Sequence, residues 1–236
     1  GCGTGIQVLR AQRYKNAQIT AIDLSSTSLS YAKRKINEIG ITNVNLIQMD
    51  ILEVALLKKK FHIIECCGVL HHMAKPEDGL KALVDILKPN CFMRLSLYSE
   101  LSRQLIVKAR EYIKANNINP DIDSIRNLRK DIFSGKLPEL YPLTGSNCDF
   151  YTTSNFRDLC FHYQEHRFTF KRLEETLISN KLKFLGFSMP QTKKSLYEKY
   201  FPRDKKQATL KIWGEVERKH PGIFADTPPF WVSKYE

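Results

Sequence analysis

Apolar positions along the chain switch between two spacings. ITAID (19–23) is a short apolar run closing on an acid, VNLIQMD (44–50) repeats the form, and FHIIECC (61–67) is nearly continuous in apolar character. Runs of this length predict strands of a parallel sheet, buried on both faces. Between the first two, Leu29, Ala32, Ile36 and Ile39 recur at helical spacing, with Ser25 or Ser26 available as the cap and Gly40 suited to the stop. Pro76 predicts a second helix start, with Leu80, Leu83, Val84 and Leu87 on one face and Lys88-Pro89 ending it. FMRLSLYS (92–99) predicts a fourth strand. Strands alternating with helices require crossover connections, hence an α/β fold built on a parallel sheet.

The pattern then changes. Residues 100–166 predict helices over about 101–116, 123–133 and 154–163, joined by loops rich in Pro, Asn and Gly, with no convincing strand. An insertion covering the ligand edge of the sheet has this form. FTFKRLEETLISNKL (168–182) reads as a helix, KFLGFSM (183–189) as a strand, 193–220 as helical and PFWVSKY (229–235) as a closing strand.

Composition narrows the picture. A chain of 236 residues suits one large domain, or one domain with a sizeable insertion. No apolar run approaches the ~20 residues that cross a bilayer. The six cysteines (2, 66, 67, 91, 148 and 160) lack both C-x-x-C spacing and a dense secreted pattern, so they read as reduced and mostly packing residues. With no signal-peptide pattern, the expected location is cytoplasmic. The net charge of +12 admits nucleic acid as a partner, but the basic runs are scattered and mixed with acids, so a solvated surface is favoured.

Three signals fall where ligands bind in open α/β sheets, beyond the carboxyl ends of successive strands. Gly1, Gly3 and Gly5 form a turn that lets a ligand approach backbone. Asp23 offers carboxylate lone pairs to a ribose diol, and Asp50 can accept from an adenine amino group with Ile51 packing on the ring. ECCGVLHHM follows at the end of the next strand.

At these residues the chain resembles the class I S-adenosylmethionine-dependent methyltransferases, in which G-x-G-x-G is the cofactor loop and the two acids hold ribose and adenine. The resemblance implies a Rossmann-like sheet, mostly parallel with an antiparallel last strand, and S-adenosyl-L-methionine as cofactor. It assigns Gly1, Cys2, Gly3, Gly5, Asp23, Leu24, Asp50, Ile51, Cys67 and Gly68 to cofactor binding and no residue to a metal. GVLHHM, LKP before a strand, LYSE and FYTTSNFRDLCFHYQEHRFT look more narrowly like methyltransferase domains of bacterial tetratricopeptide-repeat fusion proteins. Because the first strand of that fold runs into the glycine loop, the expectation is that this strand, and a repeat domain before it, precede Gly1 in the native protein. The expected segments are a cofactor-binding half (1–99), a helical insertion or lid (100–166) and a completion of the sheet (167–236).

The implied activity is methyl transfer, in which the protein aligns the acceptor and a base removes its proton. His71 and His72 follow the third strand, and Tyr98 and Glu100 end the fourth. His162, Glu165 and His166 share a face if that stretch is helical, as acceptor-lining groups or, less favoured, a metal site. These make His71, His72, Tyr98, Glu100, His162 and His166 the catalytic candidates. No [D/N]-P-P-[Y/F] motif occurs, ECCG standing in its place, which favours an oxygen acceptor on a small molecule or glycan. The alternatives are a nucleic-acid or protein methyltransferase, an NAD(P)-dependent oxidoreductase, disfavoured by Ile6 where the dinucleotide motif needs glycine, and a binding module without catalysis.

Overall fold

The computed structural model describes residues 1–146 and 148–235. In chain order the elements are α1 (Ile6–Ala11), β1 (Ile19–Asp23), α2 (Ser26–Glu38), β2 (Val44–Gln48), β3 (Phe61–Cys67), α3 (Pro76–Ile86), β4 (Leu87–Ser96), α4 (Gln104–Ala115), α5 (Ile122–Phe133), α6 (Leu143–Ser146), α7 (Thr153–Cys160), α8 (Phe170–Ser179), β5 (Leu182–Phe187), α9 (Gln191–Tyr200), α10 (Leu210–Lys219) and β6 (Phe230–Lys234). They fall into two compact units, one of residues 1–96, 177–185 and 231–236, the other of residues 97–176 and 186–230.

In the first unit β1 and β2 pair in parallel, with Ile19 opposite Val44 and Asp23 opposite Gln48. A separate sheet has the order β3-β4-β6-β5, and β3 and β4 are parallel. At the last pair, Ser188 N–H reaches Pro229 O while Tyr235 N–H reaches Lys181 O. One number rises as the other falls, so β5 and β6 run antiparallel. Among the described residues no ladder joins β1 to β3.

Ser25 caps α2, its hydroxyl accepting from Ser28 N–H, and Leu29, Ala32 and Ile36 are buried as the spacing predicts. Ile39 is not on that face, because the helix ends at Glu38 and leaves it 55% exposed. Nor is β3 buried throughout: His62 and Ile63 are exposed, as fits a strand at the edge of its sheet. Lys88-Pro89 does not simply end α3 but lies in β4, which also ends early, at Ser96. There Phe61 pairs with Leu87 and Ile63 with Phe92, so β4 carries a bulge that absorbs Pro89, which has no N–H for the ladder.

The second unit has two cores. One gathers Ile106, Ala109, Ile125, Leu128, Ile132, Phe156 and Leu159 from α4, α5 and α7. The other is aromatic, with Phe187 edge-on or tilted to Phe170, Trp213, Phe224 and Phe230 at centroid distances of 4.9–6.1 Å. Residues 193–220, expected as one helical stretch, are broken over 201–209, where Trp213 Nε1 donates to Gln207 O at 2.9 Å. The stretch after Cys160 is not helical, which removes the shared face expected of His162, Glu165 and His166.

Candidate active site

In the first unit hydrogen bonds join the glycine loop and the loops beyond β1 and β2. Cys2 N–H donates to Ile22 O at 2.9 Å, and Gly3 N–H donates to Asp23 Oδ2 at 2.7 Å. Asp23 Oδ1 accepts from Ser25 N–H at 2.9 Å, leaving lone pairs on both oxygens. The neighbouring loop is tied on by Met49 N–H to Asp23 O (3.1 Å) and by Gln48 Nε2 to Leu24 O (3.0 Å). Asp23 and Asp50 therefore lie along one rim.

Asp50 caps the 3-10 helix Ile51–Leu57, its Oδ1 accepting from Leu52 N–H at 2.9 Å. That occupies one oxygen and leaves the other available. Ile51 is buried beside it, while Leu24 is 66% exposed.

The glycine loop abuts the third strand's end. A Cβ on Gly1 would lie 2.6 Å from Val69 Cγ2, so no larger residue fits without moving that side chain. Gly3 and Gly68 have φ of +52° and +77°, and a Cβ on either would meet open space. Left-handed backbone beside unfilled volume is a cradle in which an elongated ligand can contact main chain, so these residues suit an adenosyl cofactor. Gly5 serves packing instead, with φ +98° and its α hydrogen side against Ala32 of α2.

Gly68 N–H donates to Ser96 Oγ at 2.9 Å, fixing the turn that follows β3. Cys67 Sγ lies 3.8 Å from both the carbonyl oxygen and a guanidinium nitrogen of Arg94. Burial raises the thiol pKa values of Cys67 and of Cys2, the latter helped by the Asp23 charge, so both are thiols rather than nucleophilic thiolates. His71 is fully buried and its ring stands edge-on to that of His72, with centroids 4.4 Å apart. Of the two, only His72 presents surface.

The second unit holds the remaining candidates. Tyr98 and Glu100 do not end β4; they lie beyond it, bonded to another segment through Phe168 N–H to Tyr98 O (2.8 Å) and Glu100 N–H to Phe168 O (3.0 Å). The Arg103 guanidinium lies over the Tyr98 ring at 3.6 Å from its centroid. Arg103 also grips Glu165 with Nε to Oε1 at 3.2 Å and Nη2 to Oε2 at 2.8 Å, both side chains nearly inaccessible. Burial outweighs that cation and raises the Tyr98 pKa. Glu100 pairs with Arg167 Nε at 3.3 Å. His166 lies 2.9 Å from the Gln164 amide nitrogen, and the His162 carbonyl accepts from Arg110 at 2.7 Å.

Sequence reasoning missed Gln48, Val69, Ser96 and Arg103. Gln48 and Ser96 lay inside the predicted strands 44–50 and 92–99, and only the earlier ends of β2 and β4 make them the polar residues that brace the next loop. Arg103 carried no local signal, because its partner is 62 positions away.

Comparison with known proteins agrees with this geometry. Residues 1–90 match the family model described as a methyltransferase domain. The chain is 32% identical over 197 residues to the uncharacterised protein syc1184_c of Synechococcus sp., covering 80% of this chain and 47% of that protein. It is 30% identical over 116 residues to the mitochondrial ubiquinone biosynthesis O-methyltransferase of Schizosaccharomyces pombe, covering 48% of this chain and 42% of the relative. The structure of PKMT2 from Rickettsia typhi superposes with a TM-score of 0.72 at 19% identity, covering 99% of this chain and 47% of that one.

The fold is thus the α/β, Rossmann-like fold of the class I methyltransferases. Over residues 1–90 the chain is similar to methyltransferase domains, and PKMT2 from Rickettsia typhi, which shares the fold, has been seen in complex with AdoHcy. The chain spans under half the length of the curated relatives named here. No helix among the described residues is long and apolar enough to cross a membrane.

Proposed function

We propose that the protein moves the methyl group of S-adenosylmethionine to an oxygen of a small molecule or glycan. The observation that carries the reading is Asp23, held by Gly3 and Ser25 amides beside a glycine cradle, with Asp50 on the same rim. The match to an O-methyltransferase over 48% of the chain supports oxygen as the acceptor atom.

When bound, the cofactor supplies an electrophilic methyl carbon that needs alignment more than activation. In this reading Asp23 accepts from the ribose hydroxyls through the lone pairs that Gly3 and Ser25 leave unused. Asp50 accepts from the adenine amino group, and Ile51 and Leu24 supply apolar surface. Gly1, Cys2, Gly3, Cys67 and Gly68 shape the cradle and exclude water, while Gly5 packs the loop on α2. His72 takes the proton of the acceptor hydroxyl, and buried His71 packs against it and positions its ring.

The test is methyl-labelled cofactor incubated with the protein and a cell extract that is then fractionated. Label in small-molecule or glycan fractions, lost on Asp23→Ala, is the expected result. Asp23→Ala should weaken binding of S-adenosylhomocysteine by about 100-fold, the loss of two hydrogen bonds to a charged group. His72→Ala should slow transfer about 100-fold while leaving that affinity in place. Label confined to protein or nucleic acid would overturn the acceptor class, and unaltered affinity in Asp23→Ala would overturn the site.

A further inference from the structure

Within the second unit lies a cavity of about 510 Å³ that the proposed methyl transfer does not use, a volume in the range of small-molecule sites. Its walls include Leu101, Phe170 and Gly214, and at its lining stands Glu217, a residue only 5% exposed. Both hydroxyl bonds to Glu217, from Ser99 and Ser102, fall on Oε1. Oε2 makes no hydrogen bond among the described residues and is available to a ligand. Burial raises the pKa of this carboxyl although the Ser102 and Ser99 hydroxyls and the Ser102 backbone N–H favour its charged form.

Helix α10 sets out the rest of the site. Lys211, Gly214 and Arg218 recur at helical spacing and share one stripe, with the two cations about 10 Å apart along the axis. Gly214 between them has no side chain, and a Cβ there would lie 3.4 Å from Phe170. A glycine inside a helix costs about 1 kcal/mol relative to alanine, and here it lets Phe170 pack close to the helix backbone between the two cations. Other charges at the cavity are partly committed: Lys171 to Glu175 at 3.9 Å, Glu100 to Arg167 at 3.3 Å. Lys211, Arg218 and the exposed Glu174 make no ion pair among the described residues. The site therefore offers two cations at a rim, apolar surface, and an acceptor oxygen at a buried carboxyl.

We propose that this cavity binds a small amphipathic zwitterion of the amino-acid type. Lys211 and Arg218 take its carboxylate, Phe170 and Leu101 its apolar body, and Glu217 Oε2 its ammonium. The site is independent of the glycine cradle and stands whether or not the acceptor assignment does.

The experiment titrates L-phenylalanine, 2-phenylethylamine and 3-phenylpropionate into the whole protein, followed by saturation-transfer NMR and calorimetry. Phenylalanine should bind at about 1 mM or tighter, and each truncated probe at least about tenfold more weakly. The double variant Lys211→Glu, Arg218→Glu alters exposed side chains, so its fold should persist. It should weaken phenylalanine about tenfold and leave 2-phenylethylamine bound as well as before or better. Glu217→Gln should weaken both amines and spare 3-phenylpropionate. Absence of saturable phenylalanine binding up to about 10 mM, equal affinity for all three probes, or wild-type affinity in the double variant would each overturn the proposal.

Discussion

The carboxylates proposed as functional in the first unit and the buried carboxylates of the second are held in opposite ways. In the first, the functional carboxylates end strands and are held by nearby amides: Asp23 by Gly3 and Ser25, Asp50 by Leu52. In the second, charges are held side chain to side chain across long stretches of chain: Arg103 to Glu165, and Ser99 and Ser102 to Glu217. A main-chain donor comes with the turn itself, so such a site tolerates varied side chains around it. A side-chain pair depends on both residues and on the packing that buries them, and it fails all at once when one is removed.

The largest test of that contrast is Arg103→Ala. It leaves the Glu165 carboxylate, 1% exposed, without its bidentate partner and with only the longer Arg167 contact, 3.7 Å from Oε1, which supplies no second hydrogen bond. Removing one member of a buried pair costs about 3–5 kcal/mol, read as a lower urea midpoint. The double variant Arg103→Met, Glu165→Leu should recover most of that loss, because the expensive state is a lone buried charge. A single variant within about 0.5 kcal/mol of wild type would show that the two units do not differ in this respect.

The same contrast explains what could be read in advance. ITAID, VNLIQMD and FHIIECC gave strands because buried strands are apolar runs, and the acids closing two of them mark the rim directly. Helices α2, α4 and α5 were legible from their spacing. The face drawn through His162, Glu165 and His166 was not there, since α7 ends at Cys160 and Glu165 turns to Arg103 instead. Spacing carries helical period only where the chain is helical, and nothing local in CFHYQEHRF marks the stop. Helix α1 was missed because six residues, with Val8 its one buried position, show no period. Tyr98 and Glu100 were misplaced because β4 ends at Ser96, where the chain turns to bond the segment at Phe168.

A smaller effect sharpens the reading of the first unit. Ser25→Ala removes the hydroxyl that accepts from Ser28 N–H at the start of α2, and should cost about 1 kcal/mol. It keeps the Ser25 amide that donates to Asp23, so affinity for S-adenosylhomocysteine should fall far less than in Asp23→Ala. Equal losses in the two variants would mean that the rim is organised by side chains after all.

The smallest effect concerns Glu217, and its sign follows from the cause of the shift. Burial disfavours the carboxylate more than the Ser99 and Ser102 hydroxyls favour it, so the folded pKa lies above the ordinary glutamate value of 4.5. A folded state that holds its proton more tightly is stabilised below the unfolded pKa, and that contribution is lost as pH rises through the folded pKa. Other carboxylates titrate in the same range, so the useful quantity is the difference from Glu217→Gln, whose side chain stays neutral. Wild type should be at its best relative to the variant below about pH 4.5 and should lose ground as pH rises past it. The change should be smaller than the helix cap, since both hydroxyls still donate to the ionised form. Urea midpoints of the two proteins across a pH series measure it, and a difference that stays flat or grows with pH would mean that the carboxyl is well solvated.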